Sequence, residues 1–79
     1  ISRGLYAARS AFLAGTRSGT ELCRIVRQEV EGAGGDIDYV ELVERDGLQP
    51  LETVDRPALL AVAARFGKPR LIDNVFLDP

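Results

Sequence analysis

Arg65, Arg70, Asp73 and Asn74 flank and follow Gly67-Lys68 in the largely apolar stretch ARFGKPRLIDNVFL, from Ala64 to Leu77. An acid beside an amide can move a proton or grip a polar ligand, and a pair of arginines can clamp a carboxylate or a phosphate. If Gly67-Lys68 is a two-residue hairpin turn, Arg65 faces Arg70, Val62 faces Asp73 and Ala61 faces Asn74. Opposed arginines repel, so an anion must lie between or near them, either a carboxylate of this chain or a phosphate. Alternation along the strand sets Asp73 on the face of Leu71 and Val75, where an unpaired carboxylate is costly. Backbone N–H groups or an arginine are therefore expected to hold it, and a structural task is favoured over a ligand contact.

The other chemistry-bearing groups point less far. Asp36, Asp38, Glu41, Glu44 and Asp46 form an acidic run. Simple alternation puts Asp36, Asp38 and Glu44 on one face and Glu41 on the other, without the twelve-residue loop of a calcium hand, so a solvated acidic edge is expected. The glycine-rich GAGG at 32–35 and the FGKP at 66–69 lack the G-x-x-x-x-G-K-S/T phosphate loop, since Pro69 follows Lys68. They read as a cap and a turn. Cys23 is the single cysteine and there is no histidine. An internal disulfide, a Cys/His zinc site and a histidine-activated serine or cysteine are thus excluded within these residues.

Composition narrows the class further. The 79 residues are 46% hydrophobic and 28% charged, with mean hydropathy near zero, the balance of an ordinary globular domain. One domain of this size buries roughly 60% of its unfolded surface. Residues 1–27 carry five arginines against Glu21 alone, a net of +4; residues 28–55 carry nine acids and only Arg45, a net of −8; residues 56–79 return to +2. With a pI near 5.0 and five aromatic residues, the chain does not look like a nucleic-acid binder. No apolar run reaches the roughly 20 residues of a membrane span, and a reducing cytoplasmic setting is the expectation. Ile1 opens within a helical pattern, as a piece of a longer protein would.

The elements that must position these groups follow from periodicity. Ile1, Leu5, Ala8 and Phe12 share one stripe of a helix that Gly15 closes. Ser18 and Glu21 have capping-box spacing, with each side chain expected to satisfy the other's backbone N–H. A second helix follows, with Leu22, Ile25, Val26 and Val30 inward and the glycines at 32–35 ending it. Glu29, within that apolar arc, is expected to reach water. Residues 38–44 read as a strand with Val40 and Leu42 on one face and Ile37, Tyr39 and Val43 on the other. Asp46-Gly47 marks a turn, and Gln49-Pro50 and Arg56-Pro57 bound a loop. Residues 57–66 fit a helix capped by Asp55 as well as a strand paired through Gly67-Lys68; periodicity leaves both open.

Taken together, Asp38-Tyr39-x-Glu41-Leu42, a short loop ending near Leu51, Leu60-x-Val62-Ala63-Ala64-Arg65 and Arg70-Leu71-Ile72-Asp73-Asn74 resemble the C-terminal domain of the pantothenate synthetase (pantoate beta-alanine ligase) family. The resemblance implies an α+β fold, two helices packed on a small three-stranded antiparallel sheet, with the alanine-rich segment as a strand. Residues 1–79 would then be a single domain, the C-terminal lid of a longer ligase whose N-terminal Rossmann-like domain is not among them.

That family joins pantoate to β-alanine with ATP through a pantoyl adenylate, releasing pyrophosphate and AMP. The resemblance assigns ATP and Mg²⁺ mainly to the N-terminal domain, along with the histidine motif and the dimer contact. Substrate partners would be pantoate, β-alanine and ATP, and no cofactor is expected for these residues alone. Ser2-Arg3 does not match the family's serine-rich nucleotide loop, so no catalytic residue carries over. Arg65, Arg70, Asp73 and Asn74 remain the structural or lid candidates. The alternative is a non-catalytic protein-interaction module with the same fold; an upstream Rossmann-like domain with a histidine nucleotide motif would decide for the ligase.

Overall fold

The computed structural model describes residues 1–79. Two helices, α1 (Ser2–Leu13) and α2 (Gly19–Gly32), precede three strands, β1 (Asp36–Glu44), β2 (Ala58–Arg65) and β3 (Arg70–Leu77). The strands form an antiparallel sheet in the order β1-β2-β3, which is the expected α+β arrangement.

Both helices end in the same way, and glycine is the reason. After α1, Gly15 takes φ 119°; its N–H donates to the Phe12 carbonyl and that of Thr16 to the Ala11 carbonyl. After α2, Gly34 takes φ 92°, with Gly34 N–H donating to Glu31 and Gly35 N–H to Val30. These are paired Schellman closures, which satisfy carbonyls that a helix end would otherwise leave free. At the start of α2 the expected capping box is only half made. Glu21 N–H donates to Ser18 Oγ at 3.3 Å, but the Glu21 carboxylate pairs with Arg24 instead of reaching back. An i,i+3 arginine on the same helix face outcompetes the backbone donor.

The core lies between the helices and one face of the sheet. Leu5, Ala8 and Phe12 of α1 and Leu22, Val26 and Val30 of α2 pack with Leu42, Ala58, Leu60, Val62, Ala64 and Leu77. Glu29 is exposed, as its place near the helix end implies. The helices meet closely at Gly4, where a Cβ would lie 3.1 Å from the Val26 carbonyl oxygen. The loop between β1 and β2 folds back over the start of α2: Gly19 N–H donates to the Glu52 carbonyl at 2.7 Å and Val54 N–H to the Arg17 carbonyl at 2.9 Å, burying Val54.

Residues 57–66, open in the sequence, resolve as a strand. As the central strand β2 is buried at Ala58, Leu60, Val62, Ala63 and Ala64. Burial on both faces rewards small residues there, so tertiary pairing overrides alanine's helix preference. Phe66 N–H donates to the Pro69 carbonyl around Gly67-Lys68. Gly67 takes φ 72°, a positive φ at the first turn position only, as type II′ hairpins require.

β1 departs from simple alternation. Ile37 faces Ala64 while Tyr39 faces Ala63, so Asp38 is an extra, bulged residue. The bulge moves Ile37 to the core side with Val40 and Leu42, correcting the expected grouping of Ile37 with Tyr39 and Val43. It also breaks the expected alignment of Asp36, Asp38 and Glu44 on one face. Asp36 faces Arg65 on the outer side and Glu44 faces Ala58 on the inner side.

Candidate functional site: the hairpin end of the sheet

The hairpin brings its polar residues together in the register the turn requires. Arg65 faces Arg70, Val62 faces Asp73 and Ala61 faces Asn74. The anion between the arginines is Asp38: Arg70 Nε donates to Asp38 Oδ2 at 2.7 Å, and Arg65 Nε lies 3.9 Å from the same oxygen. The bulge in β1 is what frees this carboxylate from the ladder and turns it across two strands. The Arg70 hydrogen bond holds the Asp38 carboxyl below its ordinary value, with the charges of Arg70 and then Arg65 adding to the effect. All three side chains are solvent-accessible, so the triad orders the hairpin end more than it stabilises the fold.

Asp73 and Asn74 do not form a site with the arginines. Adjacent strand residues point to opposite faces. Asp73 is half-buried on the helix-facing side, where its Oδ1 accepts the Asn74 N–H at 2.8 Å. One backbone donor holds it; Arg65 and Arg70 lie on the opposite face of the sheet. Asn74 is exposed on the outer face, between Ile72 and Phe76.

Away from the hairpin end, three further acids are paired with arginines. Arg56 bonds Glu44 at 3.0 Å and Asp55 at 2.9 Å, and Arg45 bonds Asp78 at 3.1 Å while lying 5.8 Å from the Phe76 ring centre. The acidic middle third of the sequence and the basic last third therefore meet as neighbouring strands. No three carboxylate or thiol groups converge as metal ligands would. Burial pushes the Cys23 thiol up, away from reactivity. A groove of about 580 Å³ lies between the first turn of α1 and the end of α2, with Arg3, Gly4, Gln28 and Glu29 in its wall; none of the four sequence candidates reaches it. No helix is long and apolar enough to cross a membrane.

Sequence reasoning missed two features. Asp38 read as one more solvated acid, although the demand for an anion beside Arg65 and Arg70 was a signal for it. The exposure of Ile72 (59%) and Phe76 (57%) was foreshadowed by apolar residues on both faces of β3.

The comparisons with known proteins agree with this geometry. The family model described as pantoate-beta-alanine ligase matches residues 1–76. The chain is 44% identical over 78 residues to a pantoate--beta-alanine ligase of Oryza sativa subsp. japonica, covering 99% of the chain and 25% of that protein. It is 49% identical over 79 residues to a pantothenate synthetase of Myxococcus xanthus, covering 98% of the chain and 27% of that protein. The crystal structure of a pantothenate synthetase from Thermus thermophilus superposes with a TM-score of 0.83 at 30% identity, covering 95% of the chain and 27% of that structure. The chain thus spans about a quarter of the length of these relatives. By sequence and by fold alike, it belongs to the pantoate-beta-alanine ligase family.

Proposed function

We propose that these residues form the C-terminal lid domain of a cytoplasmic pantothenate synthetase, a ligase that condenses pantoate and β-alanine with ATP through a pantoyl adenylate. The observation that carries this reading is the family match, which runs across nearly the whole chain yet covers only a quarter of each relative. A carboxylate is a poor electrophile, and activation as a mixed anhydride makes it attackable by the β-alanine amine. Such an anhydride is also open to water, so a covering domain that excludes solvent serves the reaction without touching the reacting atoms.

The residues here fit covering better than chemistry. Arg65 and Arg70 share Asp38 as their anion, and no three acids gather as metal ligands would, which supports placing Mg²⁺ mainly outside these residues. We assign ATP, Mg²⁺, pantoate and the contact of the homodimer to the remaining three quarters of the ligase. Supplied with ATP, pantoate and β-alanine, the 79-residue chain should form no AMP, whereas the whole ligase should form AMP and pantothenate in equal amounts. Appreciable AMP from the chain alone would place chemistry in this domain and overturn the reading.

A further inference from the structure

One face of the sheet carries both helices and the other carries no covering layer. Both helices pack on the side of Leu60, Val62 and Leu77. The outer face carries the buried Val43 and half-buried Tyr39 of β1, the half-buried Leu59 of β2, and Ile72 and Phe76 of β3, with Ile72 and Phe76 more than half exposed. Glu41 and Asn74 are the polar residues among them. These two flank Ala61 in the middle row of the face; the other charged groups lie at the two ends, with Arg65, Arg70 and Asp38 at one and Arg45 and Asp78 at the other. Large apolar side chains left exposed together on one sheet face mark an interaction surface.

We propose that this outer face is the surface against which the rest of the ligase chain packs, an assignment that rests on the reading of these residues as one domain of that ligase. Size selects the occupant. Three strands of eight residues make a face of about 400 Å² from strand spacing and rise. That is about half of the 800 Å² or so that each partner buries in a stable complex between separate molecules. A tethered partner needs less, because covalent linkage holds it at an effective concentration in the millimolar range. The relatives supply such a partner, since about three quarters of each lies outside the region matched by this chain.

Hydroxyl-radical footprinting of the whole wild-type ligase, read residue by residue by mass spectrometry, tests the assignment. Oxidation of Ile72 and Phe76 should be slower by about tenfold or more than in the same protein unfolded in urea. This protection should survive roughly hundredfold dilution. Oxidation at about half the unfolded rate, as their exposure in this domain alone dictates, would overturn the proposal. Protection lost on dilution would also overturn it, by making a second copy the occupant. Pantothenate formation by the same preparation tests the ligase reading separately; an inactive protein with Ile72 and Phe76 protected would sink that reading and leave the face assigned.

Discussion

Replacing Gly35 by alanine places a methyl group where three atoms already crowd. An ideal Cβ there would lie 2.6 Å from Val30 Cγ1, 2.8 Å from Phe66 Cζ and 3.0 Å from Phe66 Cε1. Carbon atoms prefer about 3.5–4.0 Å, so the overlap approaches 1 Å on two sides. Val30 cannot retreat: it is 2% exposed, and a β-branched residue in a helix holds one χ1 rotamer. Phe66 is half-buried at the hairpin base and must give way. Overpacking of this kind costs about 1–3 kcal/mol, less the roughly 0.4–1 kcal/mol gained because alanine restricts the unfolded chain. A net loss of about 1–2 kcal/mol should lower the melting temperature of a domain this size by about 4–16 °C. Circular dichroism melts of Gly35→Ala, Phe66→Ala and the double variant measure it. Phe66→Ala should destabilise less in the alanine background than alone, by at least about 0.5 kcal/mol, because removing the ring relieves the clash. An unchanged melt for Gly35→Ala, or additive effects in the double variant, would refute the packing argument.

Three further outcomes check other parts of the structure. An NMR titration should give the Asp38 carboxyl a midpoint below the ordinary 3.8, because Arg70 and then Arg65 favour its charged form; its stabilising effect is present above 3.8 and lost as pH falls through the lower folded value. Arg70→Gln should return that midpoint toward 3.8, and a wild-type midpoint at or above it would contradict the triad. Gly67→Val, at φ 72°, should cost about 1–2 kcal/mol and lower the melt by about 4–16 °C, with Gly67→Asn costing less. Asp73→Ala removes one hydrogen bond to a neighbouring N–H and should cost about 0.5–1 kcal/mol and lower the melt, and an unchanged melt would reassign Asp73 to a contact outside these residues.

Much of the fold could be read from residue order. The α1 stripe of Leu5, Ala8 and Phe12, the glycine closures and the hairpin register were legible because each depends on local spacing or on a single turn. The strand at 57–66 was not legible from pattern, because alanine suits a helix and its placement depends on two neighbours pairing at once. Family resemblance supplied that answer. The bulge at Asp38 left no local mark, since an extra residue in a ladder is defined by its partner strand. The faces of Asp36 and Ile37 and the anion between Arg65 and Arg70 were hidden with it. Asp73 and Asn74 were readable as neighbours on opposite faces, and their separation removes the active-site pair that their adjacency suggests.

The bulge also determines where the chain can change length. Asp38 is the one residue of β1 without a partner in the ladder. A chain shortened by that residue alone would still set Ile37 against Ala64 and Tyr39 against Ala63, now as a regular pair of strands, with every apolar side chain on its present face. Loss of any other interior residue of β1 would carry one flank of the strand out of register and turn its apolar side chains toward water. Losing Asp38 would leave Arg65 and Arg70 facing each other without their anion, so position 38 is where β1 spares its packing and exposes its electrostatics.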